Sequence, residues 1–448
     1  MYNGNSKKVL LLTAPRPSAS DTPLHLGDNR PPQGIGYIAA YLEKHGHQAR
    51  IIDLYHFGRE VTKGNPGVNQ EEAFNQLEID LDYEIQAFGP DFIGMYIHTL
   101  SFYNALNMGR ELKEKYPDII LMCGGPHPTV LTETIPDYFD HVVVGEGEYA
   151  TLDIVEGREQ KRIIEGVRVE KMDELPWPNY DWFINKPYNW KLKLFGYDVL
   201  EPVISLNTTR GCPFPCKFCG VRAISGAGFR SISPEIVVDK LIEYKEKYSL
   251  KGVYFREDNF TTDNNRLEKF CDLMVNKKVG LKWACESRVK NLTSSLVKKM
   301  YKAGCCGLYI GVESGSQRML EYVQKNEAVK DFLEKFPILH DNRIKTYTTW
   351  VFGLPDETKE DRRLSNNLLE RLNPASYDKF VYIGIPKSDF YCQLDENNEY
   401  EYKEPNGIIY PKGYLSLAQQ LYGEDDPRCR YVERIYKDNN VSPVNIIF

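Results

Sequence analysis

The chain of 448 residues is long enough for roughly two to three domains, each with its own core, and 42% hydrophobic with 27% charged residues is the balance of a globular protein. A formal net charge of −7 excludes a general nucleic-acid binder, which would carry a strongly basic surface. No apolar run approaches the roughly 18 residues of a membrane span, and "KKVLLLTAP" has too short an apolar centre for a secretory signal, so the chain reads as cytoplasmic. Its ten cysteines are then expected as reduced thiols or metal ligands.

Residues 1–155 alternate short apolar runs with amphipathic stretches: "KVLLLTAP", "GIGYIAAYLEKHGH", "QARIIDLY", "PDFIGMYIHTL", "NALNMGRELKEKYP", "IILMCGGP" and "HVVVGEGE". Apolar runs bounded by Gly, Pro or Asp, with helical stretches between them, predict buried parallel strands in a doubly wound, Rossmann-like α/β sheet. Ligands belong at the carboxyl ends of such strands, where the loops are rich in Gly, Pro, His and Thr. Residues 156–200 show neither period. "ELPWPNYDWFINKPYNW" reads as a packed linker.

A second alternation fills residues 201–394. Strands are expected at "PVISLNTTR", "GVYFRED", "KWACESRV", "GLYIGVESG", "TYTTWVFGLP" and "DKFVYIGIP", with helices such as "PEIVVDKLIEYKEKY" between them. Six strand-helix units are two short of a closed (β/α)8 barrel, and a partial (β/α)6 barrel of TIM type also places chemistry at its carboxyl ends. Residues 395–448 are polar and Tyr-rich and read as a C-terminal extension.

The loop after the first of these strands, "TTRGCPFPCKFCG", carries Cys212, Cys216 and Cys219. Thiolates in a reducing compartment either hold a soft metal or attack an electrophile. Structural zinc would normally need a fourth Cys or His ligand, and none follows at the usual spacing. Three thiolates can hold a four-iron cube and leave one iron open.

CxxxCxxC after the first strand, with Phe218 before the last Cys, followed in order by "YFREDNFT", "CESRV", "GVESGS" and "FGLPDET", resembles the radical S-adenosylmethionine (SAM) superfamily. The segments "RPPQGIGYIAAYLEKHGHQARIIDLY", "LMCGGPHPT" and "VVVGEGEYATL" resemble the cobalamin-binding domain fused to one radical SAM subfamily, which includes cobalamin-dependent methyltransferases. The two resemblances span about residues 7 to 390. They imply a [4Fe-4S] cluster, SAM and cobalamin, the corrinoid lying across the carboxyl ends of the first sheet and facing the cluster. They also imply an external electron donor such as flavodoxin or ferredoxin.

By this resemblance Cys212, Cys216 and Cys219 ligate the cluster. Glu257 and Asp258 accept hydrogen bonds from the SAM ammonium, or else cap a helix; Ser287 and Arg288 bind its carboxylate or ribose, or else Arg288 forms a surface salt bridge; Glu313 lies at or beside the same site, or else is a buried structural carboxylate; and Gly353 and Leu354 let the backbone approach adenine. In the first domain Gly124, Gly125, His127, Gly145, Glu146 and Gly147 are expected to contact the corrin, and His98 and Thr99 its nucleotide tail, unless His98 is a satisfied loop histidine. Many cobalamin domains carry an Asp-x-His-x-x-Gly motif, which is missing here: Asp53, His56 and Gly58 are wrongly spaced, as are Asp21, His25 and Gly27, so both histidines read as surface or loop residues. The remaining cysteines, 123, 271, 285, 305, 306, 392 and 429, read as core residues or free thiols. Tyr347, Trp350 and Tyr382 are candidates for substrate walls or core.

The function implied is methylation of an unactivated carbon by a 5′-deoxyadenosyl radical and methylcobalamin. The alternatives are a non-methylating cobalamin-dependent radical SAM reaction such as cyclisation, ring contraction or oxidation, and a non-catalytic corrinoid or iron-sulfur carrier. No motif names the substrate.

Overall fold

The computed structural model describes residues 6–15, 30–54, 81–186, 188–192 and 200–442. They form two compact units, Met1–Asn189 with Pro405–Gly407, and Trp190–Glu404 with Ile408–Phe448.

The first unit is built on β1 (Lys8–Thr13), β2 (Gln48–Asp53), β3 (Phe92–Tyr96), β4 (Ile120–Gly124), β5 (His141–Gly145) and β6 (Ile163–Gly166). All pairs are parallel, in the order β2-β1-β3-β4-β5-β6. In "KVLLLT" every residue but the first is buried, which is the pattern of a strand covered on both faces. Alternate residues supply the two cores: Leu10 and Leu12 pack with Phe102, Ala105 and Phe139, while Val9 and Leu11 pack with Ile35, Ala39 and Val143. Helices α1 (Gln33–Lys44), α2 (Phe102–Lys115), α3 (Pro126–Val130) and α4 (Gly147–Val155) connect the strands. The sheet is therefore doubly wound and Rossmann-like, as expected.

One strand falls in the stretch expected as linker. The "IIEG" of β6 is four residues long and only Ile164 is buried, too little apolar signal to stand out in sequence. The Trp- and Pro-rich run that follows packs onto the first unit: Tyr180 is fully buried, and its hydroxyl accepts a hydrogen bond from Gln33 Nε2 at 2.8 Å.

The second unit carries six parallel strands: β7 (Val203–Leu206), β8 (Gly252–Phe255), β9 (Lys282–Ser287), β10 (Cys305–Glu313), β11 (Lys345–Phe352) and β12 (Ser376–Val381). Their order, β12-β11-β10-β9-β8-β7, follows the sequence with no crossing. Such an array is the partial barrel. Helices α5 (Val221–Ser225), α6 (Pro234–Tyr248), α7 (Asn264–Asn276), α8 (Ser294–Lys302), α9 (Gln317–Tyr322), α10 (Val329–Asp341) and α11 (Lys359–Leu372) follow the strands. An aromatic cluster of Phe255, Phe260, Phe270 and Trp283 locks α7 to β8 and β9, with ring centroids 4.3 to 6.2 Å apart.

After β12 come α12 (Asp389–Asn397), which runs into the stretch 395–448 expected as an extension, a hairpin of β13 (Tyr400–Lys403) and β14 (Ile409–Pro411), α13 (Tyr414–Tyr422) and α14 (Pro427–Asp438). Among the described residues no helix is long and apolar enough to cross a membrane.

Candidate functional site

The cysteine loop leaves the carboxyl end of β7 and is fixed at both sides. Gly211 has φ +82°, and a Cβ there would come within 2.6 Å of the Gly228 carbonyl oxygen, so the approach to Cys212 requires glycine. Its N–H donates to Asp258 Oδ2 at 3.0 Å. Farther along, Lys217 N–H donates to the Val323 carbonyl and its own carbonyl accepts from Phe390 N–H, both at 3.0 Å, while Cys219 N–H closes a turn onto Cys216.

The three thiols so held are free and half-buried. Burial pushes the Cys219 thiol up to about 11 and raises Cys212 as well, the latter opposed by the Phe214 N–H and Arg288. Cys212 and Cys219 are therefore thiols until a metal displaces their protons. Three unpaired sulfurs on one anchored loop are a donor set that fits a four-iron cube with one open iron.

Glu257 is buried, and both its oxygens are occupied within the loop: one accepts the Thr208 N–H, the other the Thr209 hydroxyl. Arg266 braces the same strand end, donating to Thr208 Oγ1 at 2.9 Å and to the Ile232 carbonyl at 3.2 Å. Glu257 thus anchors the loop, whereas Asp258 is exposed beside it.

At the end of β9, Ser287 Oγ lies 2.9 Å from Thr261 Oγ1 and donates to the Arg288 carbonyl. Arg288 turns to the cysteine loop: its guanidinium lies 3.9 Å over the Phe214 ring, and Nη1 donates to Cys216 Sγ at 3.6 Å. Its Nη2 stands 3.5 Å from Glu327, a fully buried carboxylate that accepts the N–H groups of Val289 at 2.7 Å and Lys290 at 3.2 Å. Lys325 links Glu327 to Glu313, at 3.7 and 3.2 Å. Glu313 ends β10 with φ +69°, a left-handed conformation for a non-glycine residue. Arg288 and Glu313 are thus joined through two residues that sequence reasoning missed, because a charged pair in the short loop "QKNEA" carries no period or motif.

Gly353 follows β11 with φ +74°, its N–H donating to Glu357 Oε2 at 2.6 Å. Leu354 is buried in a cluster with Met319, Val323, Tyr382 and Phe390, and Phe218 of the cysteine loop packs on the same cluster. Trp350 is fully buried with its indole N–H on Thr348 Oγ1, which makes it core. Tyr347, also buried, stacks on Tyr309 at 4.2 Å and donates to Asp378. Beside Tyr309 in register is the half-buried Glu286, which accepts from Tyr254 at 2.5 Å. Loss of water around it pushes its carboxyl up to about 8, so it is protonated and able to donate at neutral pH. Sequence reasoning passed over it because it lies inside a strand.

In the first unit the expected residues gather at the carboxyl ends of β3, β4 and β5. Gly125 has φ +107°, and a Cβ there would meet the Tyr96 ring at 2.9 Å and the Ile97 carbonyl at 3.0 Å. Gly124 ends β4; Gly145 ends β5 with φ +90°, its N–H donating to Thr129 Oγ1 at 2.9 Å. Gly147 opens α4 against Ile38, and Glu146 Oε2 accepts the Val169 N–H at 2.7 Å.

His127 is completely enclosed, its ring nitrogens 3.3 Å from Thr99 Oγ1 and 2.9 Å from Thr134 Oγ1, its ring 4.2 Å from Phe102. It is a core histidine, and burial lowers it to about 4. His98 is exposed and caps the turn that follows by accepting the Leu100 N–H at 3.3 Å. Asp53 accepts from Thr13 at 2.5 Å and Tyr188 at 2.6 Å, a buried hydrogen-bond hub. Asp21, His25, Gly27, His56 and Gly58 lie outside the described residues.

Two family models match the chain: the radical SAM superfamily over residues 206–369 and the B12 binding domain over residues 24–155. An uncharacterized methyltransferase of Pyrococcus horikoshii is 26% identical over 395 residues, covering 84% of this chain and 80% of its own. An anaerobic magnesium-protoporphyrin IX monomethyl ester cyclase of Rubrivivax gelatinosus is 25% identical over 404 residues, covering 84% and 68%. Among solved structures, the radical SAM methyltransferase TsrM of Kitasatospora setae, with tryptophan and a SAM analog bound, superposes with a TM-score of 0.68 at 14% identity, over 93% of this chain and 87% of its own. That likeness is one of fold.

Proposed function

Because the chain joins a B12 binding domain to a radical SAM domain and so belongs with the cobalamin-binding radical SAM enzymes, we propose that it methylates an unactivated carbon of its substrate. The radical SAM domain brings a [4Fe-4S] cluster and SAM, and the B12 binding domain brings cobalamin. Together these groups supply a substrate-activating radical and a transferable methyl group, chemistry that belongs to the cofactors.

The chain's own contribution is position. In this reading Cys212, Cys216 and Cys219 hold the cluster, and the Glu257 and Asp258 contacts fix the loop that carries them. Asp258, Arg288 and Glu313 frame the place for the amino and carboxylate groups of SAM. Gly353 and Leu354, with Phe218 beside them, form a close-packed edge for adenine. Gly124, Gly125 and Gly145 shape the turns at the strand ends where a corrin would lie, Gly125 and Gly145 through their positive φ. The protonated Glu286, beside Tyr254 and Tyr309 of the neighbouring strands, is suited to hydrogen-bond an acceptor on the substrate.

The observation that carries the proposal is the anchored loop of three free thiols in a chain that also has a B12 binding domain. The cyclase relative supports a second reading, a cobalamin-dependent radical reaction without methyl transfer. The two are separated by expressing the chain anaerobically with SAM bearing a deuterated methyl group and surveying metabolites and proteins by mass spectrometry. A product gaining an intact CD3 group supports methylation. Conversion with SAM cleavage but no label in any product overturns it in favour of the second reading.

A further inference from the structure

We infer that Glu327 is a positioning residue that sets the charge around the Cys216 sulfur by holding Arg288, with Lys325 as its counterweight. This rests on the reading that Cys212, Cys216 and Cys219 hold the cluster.

Four charged side chains alternate in sign from the cysteine loop inward: Arg288, Glu327, Lys325 and Glu313. All are nearly withdrawn from solvent, with Glu327 at 0%, Lys325 at 6%, Arg288 and Glu313 both at 11% side-chain exposure. Buried charges persist where each is balanced, and here two cations meet two anions. The segment is also conformationally specified. Gln324 and Asn326, on either side of Lys325, have φ of +55° and +56°, a backbone retained only where the surroundings hold it.

The division of labour at Glu327 separates fold from charge. Its Oε1 accepts the two N–H groups that follow Arg288, a task that a neutral amide oxygen performs equally. Its Oε2 makes no hydrogen bond, is buried, and faces Arg288 Nη2 and Lys325 Nζ. The negative charge is thus surplus to the backbone contacts and is directed at Arg288, whose other terminal nitrogen is the one on Cys216 Sγ. Removing the anion leaves a net positive charge near that sulfur; removing Lys325 leaves a net negative one. A positive surrounding stabilises the more negative, reduced form of a bound cluster, and a negative surrounding disfavours it.

The test is an EPR-monitored redox titration of the full-length, anaerobically reconstituted protein, with iron content measured on each sample. Glu327→Gln keeps the oxygen for Val289 and Lys290 and is expected to shift the cluster midpoint potential to less negative values. Lys325→Met is expected to shift it the opposite way, and the double variant to return near wild type. Shifts in the same direction, or none, at wild-type iron content would overturn the inference, because loss of packing alone has no sign. If Lys325→Met does not fold, Glu327→Gln alone decides: a less negative potential supports the inference, and an unchanged or more negative one overturns it. A wild-type chain that takes up no iron overturns the cluster reading and this inference with it, and the iron analysis shows which has failed.

Discussion

The Asp258 carboxylate holds the backbone N–H of Gly211 at 3.0 Å, so the end of β8 fixes the residue immediately before the first cysteine of the loop. The same glycine has φ +82° and faces the Gly228 carbonyl oxygen, 2.6 Å from where a Cβ would stand. Gly211→Ala therefore combines a left-handed alanine with a backbone clash, and a loss of roughly 1–3 kcal/mol in stability is expected. Urea denaturation should show the lower midpoint, and iron content after reconstitution should fall, since the displaced residue adjoins Cys212. Unchanged stability and iron uptake would show that the loop tolerates movement at this point.

His127 gives the first unit a pH dependence. Its folded pKa, lowered to about 4 by burial, lies below the 6.5 of an exposed histidine. The unfolded chain therefore takes up a proton that the folded chain refuses, and the group's contribution is complete above pH 6.5 and falls as pH drops towards 4. Between pH 7 and pH 5 the loss is about 2 kcal/mol. Denaturation of wild type and His127→Gln at the two pH values should show a smaller pH effect in the variant. Equal effects would mean that His127 is not enclosed in solution.

Much of this architecture was legible because both sheets are parallel and buried on two faces, so apolar runs such as "KVLLLT" and "GVYF" stand out between helical stretches. The cysteine loop was legible because its chemistry lies in spacing within one segment. What escaped depends on tertiary partners. The short strand β6, the Lys325–Glu327 pair with its partner Arg288, and the neutral carboxyl of Glu286 acquire meaning only from residues outside their own segments. His127 illustrates the converse, a residue in a ligand-like Gly-Gly-Pro-His motif that the fold encloses between Thr99, Thr134 and Phe102.

The adjacent thiols of Cys305 and Cys306 are poor candidates for carrying a methyl group. Both are buried, and burial pushes Cys306 up to about 11 and Cys305 well above its ordinary value, so neither is a thiolate nucleophile at neutral pH. The Cys305→Ala/Cys306→Ala double variant is expected to lose roughly 1–3 kcal/mol in stability through packing and to retain the methyl transfer proposed for this chain. A folded double variant that cleaves SAM yet fails to methylate would assign the transfer to a sulfur.

A fragment of residues 1–189 should fold and bind hydroxocobalamin, because it contains all six strands of the first sheet and the Tyr188–Asp53 hydrogen bond at 2.6 Å. A fragment ending at residue 160 lacks β6 and Tyr180, and is expected to be less stable. Gel filtration with visible spectroscopy checks both. Folded 1–189 emerging without bound cobalamin would contradict the corrin assignment of Gly124, Gly125 and Gly145.

The most direct test of the central claim is a paired measurement of iron and of 5′-deoxyadenosine on the full chain, reconstituted anaerobically and given SAM with a strong reductant. Wild type is predicted to hold about four irons at one site and to release 5′-deoxyadenosine. Cys216→Ala is predicted to lose both. A variant that keeps wild-type iron content and SAM cleavage would contradict the assignment of Cys212, Cys216 and Cys219 as the cluster ligands, and with it the reaction proposed for this chain.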